Sequence, residues 1–396
     1  VTLELAVLIT IAVAGAPAQR SGGAEPAPSL ALTAVTAGSL HTCGLVAAGA
    51  AYCWGLNSEG QLGDGKRRIT PSLPGPAAGG IVFAVLSAGG GHTCGITSDG
   101  TAYCWGTNGN GELGDGTTIT RPSPVPVATD ARFRAVSAGD GHTCGLTFEG
   151  AAYCWGANGW GELGDSTTVD RSTPVPVAGG LSFAGVSTGR DHTCGVTTAG
   201  VAYCWGYNFS GRLGNDGPGP DFCPPNQRAC SRVPVPVAGA HRFSIVSAGG
   251  FHTCGVTTAG AVHCWGSNSV GQLGDGTTVD RTAPVPVAGD ERFTAVSASL
   301  ESYTCGITAG ASYCWGANAF GELGDGTTIL RKSPAPVTGN PRFTAISAGG
   351  FHACGVTTTG DAYCWGNNND GQLGDGTTTE RTRPVLVRPI PTGSPR

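Results

Sequence analysis

Short stretches that alternate apolar and polar side chains, or that gather β-branched and aromatic residues, recur along this chain between Gly-rich polar segments. One copy opens with Phe243-Ser244-Ile245-Val246-Ser247 and continues with Thr253-Cys254-Gly255-Val256-Thr257 and Ala261-Val262-His263-Cys264-Trp265. Such runs, five residues long and bounded by Gly and Asn, predict three β-strands. A fourth segment, Pro284-Val285-Pro286-Val287, cannot donate a full ladder of hydrogen bonds and belongs at a sheet edge. The whole pattern is written seven times. Its first cysteine falls at Cys43, Cys94, Cys144, Cys194, Cys254, Cys305 and Cys354, in steps of 51, 50, 50, 60, 51 and 49 residues. A period near 50 with several short strands per copy predicts an all-β fold, a seven-bladed β-propeller whose blades bury their faces against one another.

The turn between the second and third strands fixes a register. In six copies the two cysteines are ten apart, with a glycine six after the first (Gly49, Gly100, Gly150, Gly200, Gly260, Gly360). A three-residue loop with that glycine in the left-handed region places each first cysteine directly across from its second. In copy six Cys305 and Cys314 are nine apart, and a two-residue loop of Ala309-Gly310 restores the same pairing. Directly opposed strand residues are close enough for a bridge. The expected disulfides are Cys43–Cys53, Cys94–Cys104, Cys144–Cys154, Cys194–Cys204, Cys254–Cys264, Cys305–Cys314 and Cys354–Cys364, with Cys223 and Cys230 an eighth pair inside an insertion at 216–231. Each would contribute about 2–3 kcal/mol in the chain-entropy model, and less where the hairpin already holds its ends together. Zinc is the rival use of paired cysteines, but one pair per blade does not converge on a tetrahedral ion.

Sixteen regularly spaced cysteines point to an oxidising compartment. The amino terminus agrees: Leu5 to Ala14 is largely apolar and Ala16-Pro17-Ala18 resembles a cleavage site. The run is too short to span a bilayer. It is preceded by Glu4 and no basic residue, a departure from the full signal pattern. The expected organisation is a signal peptide at 1–18, a linker at 19–30, one propeller at 31–388 and a tail at 389–396. A secreted, periplasmic or cell-surface location is expected, with no membrane span in the mature chain. Charged residues are 12% of the chain and the net charge is −5, against the clustered basic surface that nucleic acid requires.

The strings Gly-x-His-Thr-Cys-Gly and Gly-x-Ala-Tyr-Cys-Trp-Gly-x-Asn-x-x-Gly-x-Leu-Gly resemble the regulator-of-chromosome-condensation repeat. That resemblance implies a seven-bladed propeller. The cysteine-bearing version is similar to that of bacterial secreted or surface members of the family, among them a β-lactamase inhibitor. The family's founder is a nucleotide-exchange factor for a small GTPase, which makes GTPase regulation an alternative function here, opposed by the cysteine pattern. Fold alone does not fix function.

Most recurring residues read as structural. His41, His92, His142, His192, His252 and His352, replaced by Tyr303 in copy six, are expected to bond local backbone and not a metal, since tyrosine is a poor zinc ligand. Asp64, Asp115, Asp165, Asp275, Asp325 and Asp375, with Asn215 in copy four, supply one carboxylate per loop, too few for calcium and suited to an Asx turn. The Cys-Trp-Gly tryptophans are expected between blades. No catalytic constellation, metal site or cofactor motif stands out, and an enzymatic site in the central channel has no motif behind it.

Function is then expected where the copies differ. Two stretches vary: the turn before His-Thr-Cys, with Arg190, Asp191, Phe251 and Phe351, and the loop after Cys-Trp-Gly, with Trp160, Tyr207, Phe209 and Phe320. If the strands run up and down in order, both stretches and the insertion share one face. The expected function is a monomeric protein-binding module, an interaction or inhibitor propeller whose partner, a protein or a glycan, is gripped by this aromatic face.

Overall fold

The computed structural model describes residues 30–67, 70–224, 227–339 and 341–389. The proposed signal peptide, nearly all of the linker and of the tail lie outside these residues. Seven antiparallel sheets form, each from one contiguous stretch of chain, with strands in sequential order except at the outer edge of the fourth. Blade three is representative: Phe133–Ala138, His142–Thr147, Ala152–Gly156 and Arg171–Pro176. First strands adjoin one another around the axis, those of blades seven and one included. The Pro-rich fourth strand is the outer edge, as its missing N–H groups require, except in blade four.

All seven hairpin disulfides form between opposed residues, with Cα separations of 4.0–4.1 Å, in copy six as in the others. Cys223–Cys230 is the eighth. Gly100 has φ +84°, in the left-handed region that the three-residue loop demands. The insertion, expected as part of the loop face, instead extends a sheet. It lengthens the fourth strand of blade four to Arg228–Pro236 and adds a fifth, Asp221–Cys223, outside it.

Among the described residues no strand is exchanged between the first and last blades, so closure rests on side chains and turns repeated at each junction. At the axis, a hydroxyl near the end of each first strand accepts the next blade's backbone N–H: Thr36 from Ala88, Ser87 from Ala138, and so on to Ser347 from Ala37, all at 2.9–3.0 Å. Further out, each repeated tryptophan is fully buried against the preceding blade. A Cβ on Gly63 would come within 2.7 Å of the Trp105 ring, so only glycine allows this approach.

The histidines join blades too, but their partner is not local backbone. His92 Nε2 meets the Thr143 hydroxyl of the next blade at 2.8 Å, and Thr143 donates its proton to the Glu112 carbonyl at 2.9 Å. The hydroxyl has one proton, so the imidazole N–H must be the donor and the ring is the neutral Nε2–H tautomer. His41–Thr93, His142–Thr193, His192–Thr253, His252–Thr304 and His352–Thr42 repeat the contact. Burial, reinforced by the Arg212 guanidinium at His192 and His252, pushes these imidazoles far down, His41 to about 3 and His92 to about 4. At the sixth junction Tyr303 replaces histidine, Ala353 replaces threonine, and the Tyr303 hydroxyl donates to the His352 carbonyl at 2.5 Å.

Candidate functional site

Because the sheets are simple meanders, the first-to-second turns and third-to-fourth loops emerge on one face and the glycine hairpins on the other. The loop after each Cys-Trp-Gly is rigid. Asn108 spans it, accepting the Leu113 N–H at 2.9 Å and donating to Asp115, Thr117 and Ile119. Asp115 makes the expected Asx turn, taking the Thr117 N–H at 2.9 Å, and its other oxygen takes Arg121, which opens the fourth strand, at 3.0 Å. Equivalent Asp–Arg pairs occur at Asp165, Asp275, Asp325 and Asp375. These carboxylates are therefore engaged by protein donors. Among the described residues no group of three or more His, Cys, Asp or Glu is placed to hold a metal.

On this frame the six predicted aromatics, with Arg190 and Asp191, fall into two groups. Trp160 of blade three stacks on Tyr207 of blade four, with centroids 4.4 Å apart and planes 26° apart, and Tyr207 stacks on Phe209 at 6.0 Å. Arg212 lies 4.9 Å over Tyr207 and 5.5 Å over Phe251 of blade five, and Arg190 lies 5.4 Å over the same Phe251. The result is a ladder of rings and guanidinium groups, favourable because each cation faces a negative ring surface. At its inner end Arg190 reaches Asp140 of blade three at 3.4 Å and Glu301 of blade six at 3.5 Å, spanning turns of blades three to six. Phe320 and Phe351 form a separate edge-to-face pair at 5.8 Å between blades six and seven.

The residues differ in access. Phe209 is 51% exposed, and Trp160, Phe251, Phe320 and Phe351 are half-buried. Tyr207, expected among the exposed anchors, is buried between Trp160 and Phe209 beneath Arg212. It positions its neighbours.

Arg212 was not singled out in the sequence, although the signal was there. It stands where the other six copies carry Gln61, Glu112, Glu162, Gln272, Glu322 and Gln372. Those side chains fold back onto backbone, as Gln272 does in accepting the Val270 N–H at 3.1 Å. Arg212 has no acceptor to offer. It donates to the Phe209 and Gly250 carbonyls and meets Asp191 at 3.5 Å while 1% exposed. Burial lowers its pKa to about 10, with Asp191 opposing, and burial raises Asp191, with Arg212 opposing. Burial also raises Glu162, beside Trp160, to about 8, so this carboxyl is largely protonated at neutral pH. The outer rim was missed as well: Ile119, Val169, Val279 and Ile329, at one loop position in four blades, are 57–61% exposed.

These features define a class: a closed seven-bladed propeller with one face of rigid, aromatic and cation-bearing loops. The RCC1-like domain model matches residues 70–394 and the regulator of chromosome condensation repeat matches residues 32–61, and the chain belongs to this RCC1-like family. Over 105 residues it is 35% identical to human RCC1 domain-containing protein 1, covering 24% of this chain and 28% of that protein. The chain spans less than a third of the curated relatives it matches. Among solved structures, Prp20p of Saccharomyces cerevisiae, studied with its binding to Gsp1p and histones, superposes with TM-score 0.76 at 21% identity, covering 88% of each chain. Human WBSCR16 gives TM-score 0.75 at 20% identity over 85% of this chain and 93% of its own. At such identities the likeness concerns the fold.

Proposed function

We propose that this chain is an extracytoplasmic protein-binding propeller, stapled by eight disulfides, whose loop face docks a partner on the Trp160–Tyr207–Phe209 ladder and the Phe320–Phe351 pair. The observation that carries the reading is the ladder: large rings gathered from neighbouring blades, with Trp160 where other copies carry Asn110, Ser210, Val270 or Asp370 and Phe209 where they carry Gly109, Gly159 or Ser269. Rings and arginines held rigid at a surface lose little entropy on contact and dominate interface energetics. The disulfide framework supports an oxidising compartment. No helix among the described residues is long and apolar enough to cross a membrane. The exchange-factor reading rests on the family alone.

Pull-down from a secreted fraction with the oxidised propeller, followed by mass spectrometry, identifies the partner. Trp160→Ala and Phe320→Ala should each weaken that complex by at least about 1–2 kcal/mol. Trp160 also stacks on Tyr207, so its loss should cost about 1 kcal/mol of stability, against about 3–5 for the fully buried Trp155. Partner affinity unchanged in both variants would remove this face from consideration.

A further inference from the structure

The ladder's outer end lies on the strand pair that only blade four possesses. Arg228, exposed and opposed in register to Cys223, donates to the Tyr207 hydroxyl at 2.9 Å and lies 6.0 Å over the Phe209 ring. The hairpin beneath it is held by Cys223–Cys230, and the Cys223 sulfur contacts the Trp160 carbonyl at 3.5 Å, so the guanidinium stands on a fixed base. The arginines around it all have carboxylates: Arg190 with Asp140 and Glu301, Arg212 with Asp191, Arg232 with Asp221. Arg228 has none among the described residues. Its contacts are a neutral hydroxyl and a ring face, which orient a planar fork and leave its charge available.

Resting on the reading of this face as a protein-binding surface, we infer that Arg228 and Phe209 together take an acidic segment of the partner, a carboxylate followed by an apolar side chain. The fork matches a carboxylate through two parallel N–H···O bonds, a geometry that lysine cannot reproduce. Phe209, half exposed beside it, offers the apolar seat. Attraction of opposite charges adds salt-dependent association.

The probes are three fluorescein-labelled decapeptides centred on Glu-Leu-Phe-Glu, Gln-Leu-Phe-Gln and Lys-Leu-Phe-Lys, titrated by anisotropy against the full oxidised propeller. The acidic peptide should bind at least tenfold more tightly than the glutamine peptide, and more weakly as salt rises. Arg228→Gln should erase that preference, Arg228→Lys should keep only part of it, and unchanged melting temperatures would show both variants folded. Phe209→Ala should weaken all three peptides alike. Equal binding of acidic and lysine peptides, a preference surviving Arg228→Gln, or no binding of any peptide overturns the inference. If Phe209→Ala still weakens binding while Arg228→Gln changes nothing, the acidic segment alone fails. If neither matters, the docking face falls with it.

Discussion

Tyr303 and Ala353 are the two deviations of the sixth junction, and the structure predicts that they depend on each other. In Tyr303→His the new Nε2–H faces a methyl group where every other histidine faces a threonine hydroxyl. A buried donor without a partner costs about 1–3 kcal/mol, and the space left by the phenol adds to that. The His352 carbonyl that Tyr303 bonds stays satisfied, because it also accepts the Gly349 N–H at 2.9 Å. In Ala353→Thr, two further heavy atoms enter a fully buried site beneath the tyrosine, for about 1–3 kcal/mol of overpacking. The double variant rebuilds the pair found elsewhere, with the introduced threonine hydroxyl able to donate to the Glu322 carbonyl that already takes the Trp365 N–H at 2.8 Å. It should fall within about 1.5 kcal/mol of wild type, a coupling of about 2–3 kcal/mol. Urea unfolding followed by tryptophan fluorescence, disulfides intact, measures all four corners of the cycle. Additive single effects would refute the interblade account of the histidines.

Glu162→Gln should be accommodated, since Gln61, Gln272 and Gln372 fill the same place. Because Glu162 titrates near 8 when folded and near 4.5 when unfolded, burial costs stability as pH rises through that window, so the variant should gain on wild type from pH 4.5 to 8 and not below. The histidines act oppositely. With His41, His92 and His142 near 3 to 4 when folded against 6.5 unfolded, and His192 lowered as well, the unfolded chain binds more protons between these limits, and melting temperature should fall steadily as pH drops below 6.5. Non-reducing peptide mapping of exported protein should return all eight bridges, and free thiols at the hairpin positions would contradict the register.

The hairpins were legible in the sequence because their signals are local: a glycine at a fixed offset, cysteines nine or ten apart, and two loop lengths that agree on one pairing. Trp54 and its equivalents were legible because a large apolar side chain repeated in every blade has nowhere to go but the interblade core. The His–Thr bonds were not, since their partners lie more than fifty residues apart and are the same in nearly every copy. Only the joint change at Tyr303 and Ala353 betrays the contact. The ladder was half visible. Trp160 and Phe209 stand out as aromatic exceptions, whereas Arg212 is a single exception in a row of Gln and Glu whose side chains turn inward. Nothing local says that Tyr207 lies under it.

The seventh junction repeats backbone bonds found at interior junctions, and this bears on where the polypeptide can be cut. Arg388 N–H bonds the Gly374 carbonyl as Ala128 bonds Gly114, and Leu32 N–H bonds the Gly360 carbonyl as Phe133 bonds Gly100. In the interior case the four residues Thr129 to Arg132 cover the gap. A four-residue linker from 388 to 32 would therefore reproduce a native connection, and new ends could be opened in any equivalent segment. The fold is, in effect, a circle on which every blade boundary is an equivalent place to open the chain. Circular permutation could thus swing either terminus to any of them, always on the glycine-hairpin face and so opposite the loops that carry the Phe320–Phe351 pair.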